Sequence, residues 1–205
     1  MTPLLLTALT GYFLGSIPFG FLIAKAKGID IREHGSKNIG ATNVLRVLGK
    51  PYGYATFALD VLKGVVSVLL ATHYLAPGHE FAGILAAITC ILGHNFPIWL
   101  GFKGGKGIAT SGGVLLGLMP LAVVIVTAIW VLSFLTTRYV SLASILTAAA
   151  LPITAFALLH FGYLTNWNLF YFSLVVAALA IWRHRSNIQR LLNGTESKFV
   201  KKPRS

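Results

Sequence analysis

The chain alternates between long apolar segments and short polar connections, a pattern typical of helical membrane proteins. A helix needs about 20 apolar residues to cross the hydrocarbon core of a bilayer. The long apolar segments cover residues 3–24, 52–76, 81–100, 108–137, 139–164 and 167–182. We therefore predict an all-α polytopic membrane protein, with residues 1–205 forming a single integral-membrane domain.

Two of these segments contain residues that interrupt a regular helix. The first carries Pro18 between Gly15 and Gly20, and proline removes a backbone donor and blocks the preceding turn. The segment over 108–137 would extend about 45 Å as one helix, whereas the hydrocarbon core is about 30 Å thick. Its glycines and Pro120 predict two short helices that meet near Pro120.

The distribution of Lys and Arg predicts the topology. Basic residues cluster at positions 25–50, 103–106, 138 and 183–204, whereas the connections at 77–80 and 160–166 contain no Lys or Arg. Loops rich in Lys and Arg stay on the cytoplasmic side. If every basic cluster is cytoplasmic, the segment over 108–137 leaves and returns to the same side. This predicts seven transmembrane helices, some short or broken, with the amino terminus outside and the carboxyl terminus in the cytoplasm.

The composition is that of a membrane protein that handles anions. Hydrophobic residues make up 56% of the chain, and the mean hydropathy is +0.76. The 17 Lys and Arg residues outnumber the 5 Asp and Glu residues, which gives a formal net charge of +12. In so apolar a chain, cytoplasmic loop charge and attraction to anionic lipids or ligands explain this excess. We therefore exclude nucleic acid as a partner.

A few reactive or charged residues lie inside the apolar segments. Asp60 and Lys63 are three residues apart, so on a helix they share a face and are expected to form a neutralising pair. Charges at membrane depth mark functional sites by default, and a structural pair between helices is an equally good interpretation. The single cysteine, Cys90, excludes a disulfide within the chain and predicts a small core residue. No cluster has the spacing of a metal site, so we predict neither a metal nor a cofactor.

The loop at residues 35–46 is the first of three polar motifs. It contains glycines, hydroxyls, amides and cations but no carboxylate. Backbone N–H groups freed by glycines can bind phosphate oxygens, and side-chain donors add further hydrogen bonds. An ordinary cytoplasmic turn is the alternative interpretation. The candidate anion-binding residues are Gly35, Ser36, Asn38, Gly40, Thr42, Asn43 and Arg46.

The second motif places glycines and lysines where an apolar helix begins. The candidates are Lys103, Gly104, Gly105, Lys106 and Gly107. They do not fit the P-loop pattern, because a lysine stands where that pattern requires a glycine. Free N–H groups and two ammonium groups at a helix amino end nevertheless favour an oxyanion.

The third motif follows the last apolar segment. His184 and Asn187 are three residues apart, on one face if the helix continues. Arg138 and Ser141 bring a further cation and hydroxyl to the same predicted membrane face. A lone interfacial histidine is usually only a polar flank, but alignment with an amide makes this one a candidate.

Together the motifs resemble those of the acyl-phosphate-dependent glycerol-3-phosphate acyltransferases of bacteria, the PlsY family. The matching segments are residues 15–25, 35–49, 93–110, 138–145 and 184–198. The resemblance implies a seven-helix fold in the bacterial cytoplasmic membrane and transfer of a fatty acyl group from acyl phosphate to the 1-hydroxyl of sn-glycerol 3-phosphate. It also implies that Glu196 is structural. The residues that it makes essential are Ser36, Arg46, Lys106, His184 and Asn187.

On this basis we expect two phosphate subsites. Lys106, helped by Lys103, His184 and Asn187, is expected to hold glycerol 3-phosphate, and the loop at 35–43 the head group of acyl phosphate. The substrate's own phosphate is the favoured acceptor of the hydroxyl proton, with His184 as the alternative. We expect a monomer in contact with membrane lipids. A small transporter for a phosphorylated compound is the competing class.

Overall fold

The computed structural model describes residues 2–199, which form helices and loops with no β strand in that range. Within these residues, five helical stretches are long and apolar enough to cross a membrane: Pro3–Lys25, Lys50–Leu75, Ala82–Leu100, Pro120–Thr137 and Val140–His160. Two shorter apolar helices are Ile108–Leu118 and Trp167–Arg183. The predicted all-helical membrane architecture is confirmed. The chain divides into two compact units, Met1–Leu118 and Met119–Ser205.

The first unit contains the helices α1 (Pro3–Ser16), α2 (Phe19–Lys25), α3 (Ala41–Leu48), α4 (Lys50–Leu70), α5 (Ala82–Asn95) and α6 (Ile108–Leu118). A π-helical turn, Ala71–Leu75, follows α4, and a 3₁₀ turn, Ile98–Leu100, follows α5. Helix α5 packs against α1, and α4 packs against α3, α5 and α6.

Small residues let α1 and α5 approach closely. A Cβ added to Gly15 would overlap the backbone carbonyl of Cys90, and one added to Gly93 would overlap the carbonyl of Tyr12. Such glycine contacts are typical of helix pairs in membranes, where close van der Waals packing replaces the hydrophobic effect. Cys90 is fully buried at this contact, as its position in an apolar segment predicts.

The predicted interruption of the first apolar segment lies between α1 and α2. Pro18 adopts φ −92° and ψ 71°, so the helical path stops at Ser16 and resumes at Phe19. The break brings the carbonyl of Ile17 within 2.9 Å of the ammonium of Lys63, which donates to it from α4. A side chain thus binds a carbonyl that a continuous helix would have satisfied.

The second unit contains α7 (Pro120–Thr137), α8 (Val140–His160), α9 (Trp167–Arg183) and α10 (Arg185–Leu192). Helix α8 packs against α7 and α9, and α10 contacts both α8 and α9. The break predicted near Pro120 is confirmed, because Met119, at φ −150° and ψ 71°, separates α6 from α7. Of the two helices that meet there, only α6, with 11 residues, is short as predicted. Helix α7 has 18 residues and is long enough to span a membrane.

Candidate functional site

The loop at residues 35–46 folds around one buried amide. Asn43, in the first turn of α3, is 2% exposed, and its Oδ1 accepts a hydrogen bond from the N–H of Ser36 at 2.8 Å. Its Nδ2 donates to the carbonyls of Asn38 at 2.8 Å, His34 at 3.0 Å and Ile31 at 3.3 Å. The amide therefore shapes the loop in this structure, and its expected role as a phosphate donor stays a prediction.

Backbone geometry explains the glycines of this loop. Gly35 has φ +60°, and a Cβ there would overlap Oδ1 of Asn43, so a side chain is excluded on both counts. The N–H of Gly40 donates to Oδ1 of Asn38 at 2.9 Å. Asn38 thus uses this N–H to close the turn before α3, and the expected contact of the Gly40 N–H with a phosphate stays a prediction.

Three side chains predicted to bind an anion lie in this loop and in α3, whose last turn contains Arg46. Ser36 and Arg46 are exposed, and Thr42 is half-buried in the first turn of the helix. The amino end of a helix attracts an anion through its N–H groups and dipole. The Ser36 hydroxyl and the amino end of α3 are therefore candidates for binding one anionic group, and the contribution of Arg46 stays a prediction.

The second glycine motif folds back onto the end of α5. The N–H of Gly104 donates to the carbonyl of Asn95 at 3.2 Å, and that of Gly105 donates to the carbonyl of His94 at 3.1 Å. These two N–H groups fix the loop in this structure, and their expected binding of a phosphate stays a prediction. Gly107, at φ +83°, then turns the chain into α6.

Two lysines flank this folded turn. Lys103 is exposed and Lys106 is half-buried, one residue before Gly107. Helix α6 begins at Ile108, so Lys106 lies at its positive end. Both ammonium groups and the start of α6 remain candidates for an oxyanion.

The two loops share one apolar support inside the first unit. Ala24, Ile31, Ile39 and Val44 form a buried cluster, and Leu100 packs against it. Ile39 and Val44 belong to the first loop and its helix, whereas Leu100 lies three residues before the second motif. The segment that leads into the second motif therefore packs against the apolar support of the first loop.

Asp30, which precedes the first loop, is paired with a cation. Arg32 donates to Asp30 through Nη2 at 2.6 Å and Nε at 2.9 Å. This hydrogen bonding from Arg32 lowers the pKa of Asp30 to about 2. Asp30 is therefore ionised near neutral pH and held by a neighbouring cation.

His184 lies in the second unit, at the junction of α9 and α10. It adopts φ −94° and ψ 5°, so the helix does not continue regularly through it as the spacing argument supposed. The N–H of Asn187 nevertheless donates to the His184 carbonyl at 2.8 Å. Nδ1 of His184 lies 2.8 Å from the Ala180 carbonyl, which can only accept, so Nδ1 carries a proton and the neutral ring has Nε2 as its acceptor nitrogen.

Glu196 binds two of the predicted site residues of the second unit. Its Oε1 accepts from Oγ of Ser141 at 2.6 Å and from Nδ2 of Asn187 at 2.7 Å. Its Oε2 accepts from Nε of Arg190 at 2.7 Å. These hydrogen bonds connect the segment after α10 with α8 and α10. The structural role of Glu196 and the role of Ser141 as a donor to the substrate stay predictions.

These hydrogen bonds set the ionisation of the carboxyl group. Burial raises the pKa of Glu196, but the hydrogen bonds from Ser141, Asn187 and Arg190 outweigh it and lower the pKa below its usual value. The folded second unit therefore stabilises the carboxylate form.

The sequence did not identify His94, which lies beside the charged pair of α4. Nζ of Lys63 is 2.8 Å from Oδ1 of Asp60, which confirms the predicted pair, and 3.0 Å from Nδ1 of His94. The contact of His94 with Lys63, 31 positions away in the chain, has no local signal in the sequence. Among residues 2–199, no group of three or more His, Cys, Asp or Glu side chains is placed to hold a metal ion.

The chain matches the family model described as glycerol-3-phosphate acyltransferase over residues 5–194. A glycerol-3-phosphate acyltransferase of Halalkalibacterium halodurans is 48% identical over 200 residues, which cover 96% of both chains. One of Desulforudis audaxviator is 49% identical over 189 residues, which cover 92% of this chain and 91% of the relative.

Solved structures of PlsY have the same fold. One is described as an integral membrane glycerol 3-phosphate acyltransferase in its glycerol 3-phosphate form; it superposes with a TM-score of 0.85 at 42% identity and covers 96% of each chain. A second, in the lysophosphatidic acid form, gives a TM-score of 0.82 at 42% identity over 96% of this chain and 95% of that one.

Proposed function

Because the chain belongs to the glycerol-3-phosphate acyltransferase family, we propose that it acylates the 1-hydroxyl of sn-glycerol 3-phosphate with acyl phosphate as the donor. The hydroxyl oxygen attacks the acyl carbonyl carbon, the bond from that carbon to the phosphate oxygen breaks, and phosphate leaves. The product is 1-acyl-glycerol 3-phosphate, or lysophosphatidic acid. The observation that carries the proposal is the related PlsY structure in its glycerol 3-phosphate form. The family favours this enzyme over a transporter.

We propose that the second loop holds the phosphate of glycerol 3-phosphate. Lys106 and Lys103 supply ammonium groups beside the amino end of α6. A dianion is stabilised there by charge-assisted hydrogen bonds and by the helix dipole. On the sequence resemblance alone, we also assign His184 and Asn187 to binding glycerol 3-phosphate.

The first loop is our proposed subsite for the phosphoryl group of the donor. Ser36 and Thr42 provide hydroxyls near the start of α3, and Arg46 provides a positive charge from the last turn of this helix. Spreading the negative charge of the departing phosphate over such donors makes it a better leaving group. Asn43 contributes by holding the loop in shape.

The acyl chain of the donor is proposed to lie along the lipid-facing side of the first unit. A groove of about 520 Å³ there is lined by apolar side chains that include Leu9, Phe13, Ile17 and Trp99. The groove reaches Ile17, whose carbonyl binds Lys63 at 2.9 Å. An acyl chain in this groove would stay within the bilayer, and only the phosphate head group of the donor would reach the polar loop.

We propose that the substrate's own phosphate accepts the hydroxyl proton. A histidine near several cations resists taking a positive charge. His184, whose Nδ1 proton is held by the Ala180 carbonyl, is the protein group best arranged to accept a proton instead, at Nε2. Positioning of the two substrates and electrostatic stabilisation supply most of the acceleration in this proposal.

We further propose that both units form one monomeric domain with seven membrane helices in the bacterial cytoplasmic membrane. The break at Met119 and the bias of Lys and Arg support an amino terminus outside and a carboxyl terminus inside.

The topology can be tested by cysteine labelling. Cys90 is buried, so cysteines introduced at Gly78 and at Lys103 can be compared directly in intact cells. An impermeant maleimide should label position 78 and not position 103.

The deciding experiment assays the purified protein with palmitoyl phosphate or palmitoyl-CoA in the presence of EDTA, and follows lysophosphatidic acid. Product should form from the phosphate donor without added metal. Product formed only from the CoA ester, or only with metal, would overturn the proposal. In the same assay Lys106→Ala should raise KM for glycerol 3-phosphate steeply, and an unchanged KM would refute the assignment of Lys106.

A further inference from the structure

A buried group of ionisable side chains lies below the second loop. Asp60, Lys63 and His94 are all 5% exposed or less. Nζ of Lys63 contacts Oδ1 of Asp60 at 2.8 Å and Nδ1 of His94 at 3.0 Å, and Oδ1 of Asp60 is 3.6 Å from the same Nδ1. Lys63 also donates to the Ile17 carbonyl at 2.9 Å. The lysine is thereby fixed from three sides.

The lysine fixes the tautomer of the histidine. An ammonium group has only protons to donate, so Nδ1 of His94 must be the acceptor in the contact with Lys63. If Nδ1 also carried a proton, that proton would be repelled by the ammonium protons of Lys63. The ring is therefore neutral, with its proton on Nε2.

That protonated nitrogen faces the glycine turn. A Cβ placed on Gly105 would overlap Nε2 of His94 and lie 2.8 Å from Cε1 and 3.0 Å from Cδ2. The backbone of the turn is tied to the same helix end, since Gly105 donates to the His94 carbonyl and Gly104 to that of Asn95. The imidazole thus supports the turn immediately before Lys106.

Helix packing alone gives no reason for charges at this depth. Ionisable residues inside a membrane are costly, and a buried ion pair is often no more stabilising than apolar residues of similar volume. The three side chains do form a continuous chain of contacts from the α1–α2 break to the turn that carries Lys106. A role in placing that turn accounts for both their charge and their position.

We propose that Asp60, Lys63 and His94 are positioning residues that hold the turn of residues 104–107 so that Lys106 meets the phosphate of glycerol 3-phosphate. Asp60 balances and orients Lys63, Lys63 fixes the tautomer of His94, and the imidazole of His94 packs against the turn at Gly105. This inference rests on the phosphate subsite assigned to Lys106 above.

Kinetics of four variants test the proposal. The double variant Asp60→Asn/Lys63→Met removes the charges without leaving one unpaired, and His94→Leu removes the polar ring that Lys63 orients; each should raise KM for glycerol 3-phosphate by about 10-fold to 100-fold with kcat changed far less. His94→Gln keeps a polar side chain that can accept a hydrogen bond from Lys63 and should retain a KM close to that of the wild type. Ser67→Ala is the control, because Ser67 is buried on α4 one turn further along and donates to the Ala86 carbonyl.

A purely structural role predicts a different result. In that case the variants should have a lower melting temperature and a lower yield of folded enzyme, with no selective change in KM. Ser67→Ala should show the same effect in milder form. An unchanged KM in folded Asp60→Asn/Lys63→Met and His94→Leu would overturn the proposal. If the double variant does not fold, equal KM values for His94→Leu and His94→Gln would overturn it as well.

Nitrogen NMR of the wild-type protein labelled with ¹⁵N-histidine separates this inference from the proposed function. His94→Gln identifies the signals of His94, which should show a protonated Nε2 and an unprotonated Nδ1. The opposite tautomer would refute the positioning relay even if the enzyme is active. The expected tautomer in a protein that does not acylate glycerol 3-phosphate would support the relay and refute the proposed function.

Discussion

Gly105→Ala tests the tightest contact of the second loop. The new methyl group would overlap Nε2 of His94 and lie 2.8 Å and 3.0 Å from its neighbouring ring carbons, well inside the separation of about 3.5–4.0 Å at which carbon atoms attract. Either the ring or the turn must move. The ring is buried and bonded to Lys63 at 3.0 Å, so its escape is restricted.

The structure gives the size of the effect. Overpacking of this kind costs about 1–3 kcal/mol. Movement of the turn would also weaken the hydrogen bonds of Gly104 and Gly105 to α5, at 3.2 Å and 3.1 Å, each with a net contribution of about 1 kcal/mol. Because Lys106 follows directly, a displacement of about 1 Å there would reduce the rate of acyl transfer by about 100-fold.

Gly112→Ala is the matched control. Gly112 lies in α6, and an added Cβ there meets no atom within 4 Å. Alanine inside a helix is favoured over glycine by about 1 kcal/mol, so this variant should be as stable as the wild type or more so, with normal activity. The assays are thermal unfolding followed by tryptophan fluorescence and the initial rate of glycerol 3-phosphate acylation. Wild-type stability and turnover in Gly105→Ala would refute the packing argument.

Three further variants address the remaining parts of the site. Ser36→Ala should lose about 100-fold or more in rate, because a donor to developing negative charge is removed, while its melting temperature stays at the wild-type value; near-normal turnover would count against the donor subsite. Asn43→Ala removes several hydrogen bonds of the loop and should cost about 3 kcal/mol, so activity and thermal stability should fall together, and a loss of activity alone would contradict a shaping role. The low pKa of Glu196 means that its contribution to stability is present above the usual glutamate pKa of about 4.3 and is lost as the pH falls through the lower folded value. Glu196→Gln should therefore lower the free energy of unfolding by about 1 kcal/mol near pH 7 and lower the melting temperature. The difference from the wild type should shrink on acidification; a constant difference would contradict the ionic role.

The helices and their breaks could be predicted from the sequence because they depend on local features. Segment length, proline and glycine place the breaks at Pro18 and Met119, and a spacing of three residues pairs Asp60 with Lys63. His94 could not be assigned, because hydrophobic patterns do not specify which faces of two helices meet.

The polar loops show a second limit of sequence reasoning. Composition identifies a donor-rich loop, but it does not tell an amide that faces a ligand from one that folds the loop. Asn43 and Ser141 both turned out to donate within the protein, the latter to a carboxylate 55 positions away. Ser36 and Lys106 keep their predicted roles as proposals.

The charged pair of α4 also bears on how the protein is made. Asp60 and Lys63 lie one turn apart on the same helix and contact each other directly. Moving a single Asp or Lys to the bilayer centre costs about 3 kcal/mol during insertion. Because the two opposite charges lie on one helix and neutralise each other, α4 can leave the translocon before α5 has been synthesised. The histidine that completes the group then joins a pair already in place, so biogenesis need not wait for the finished site.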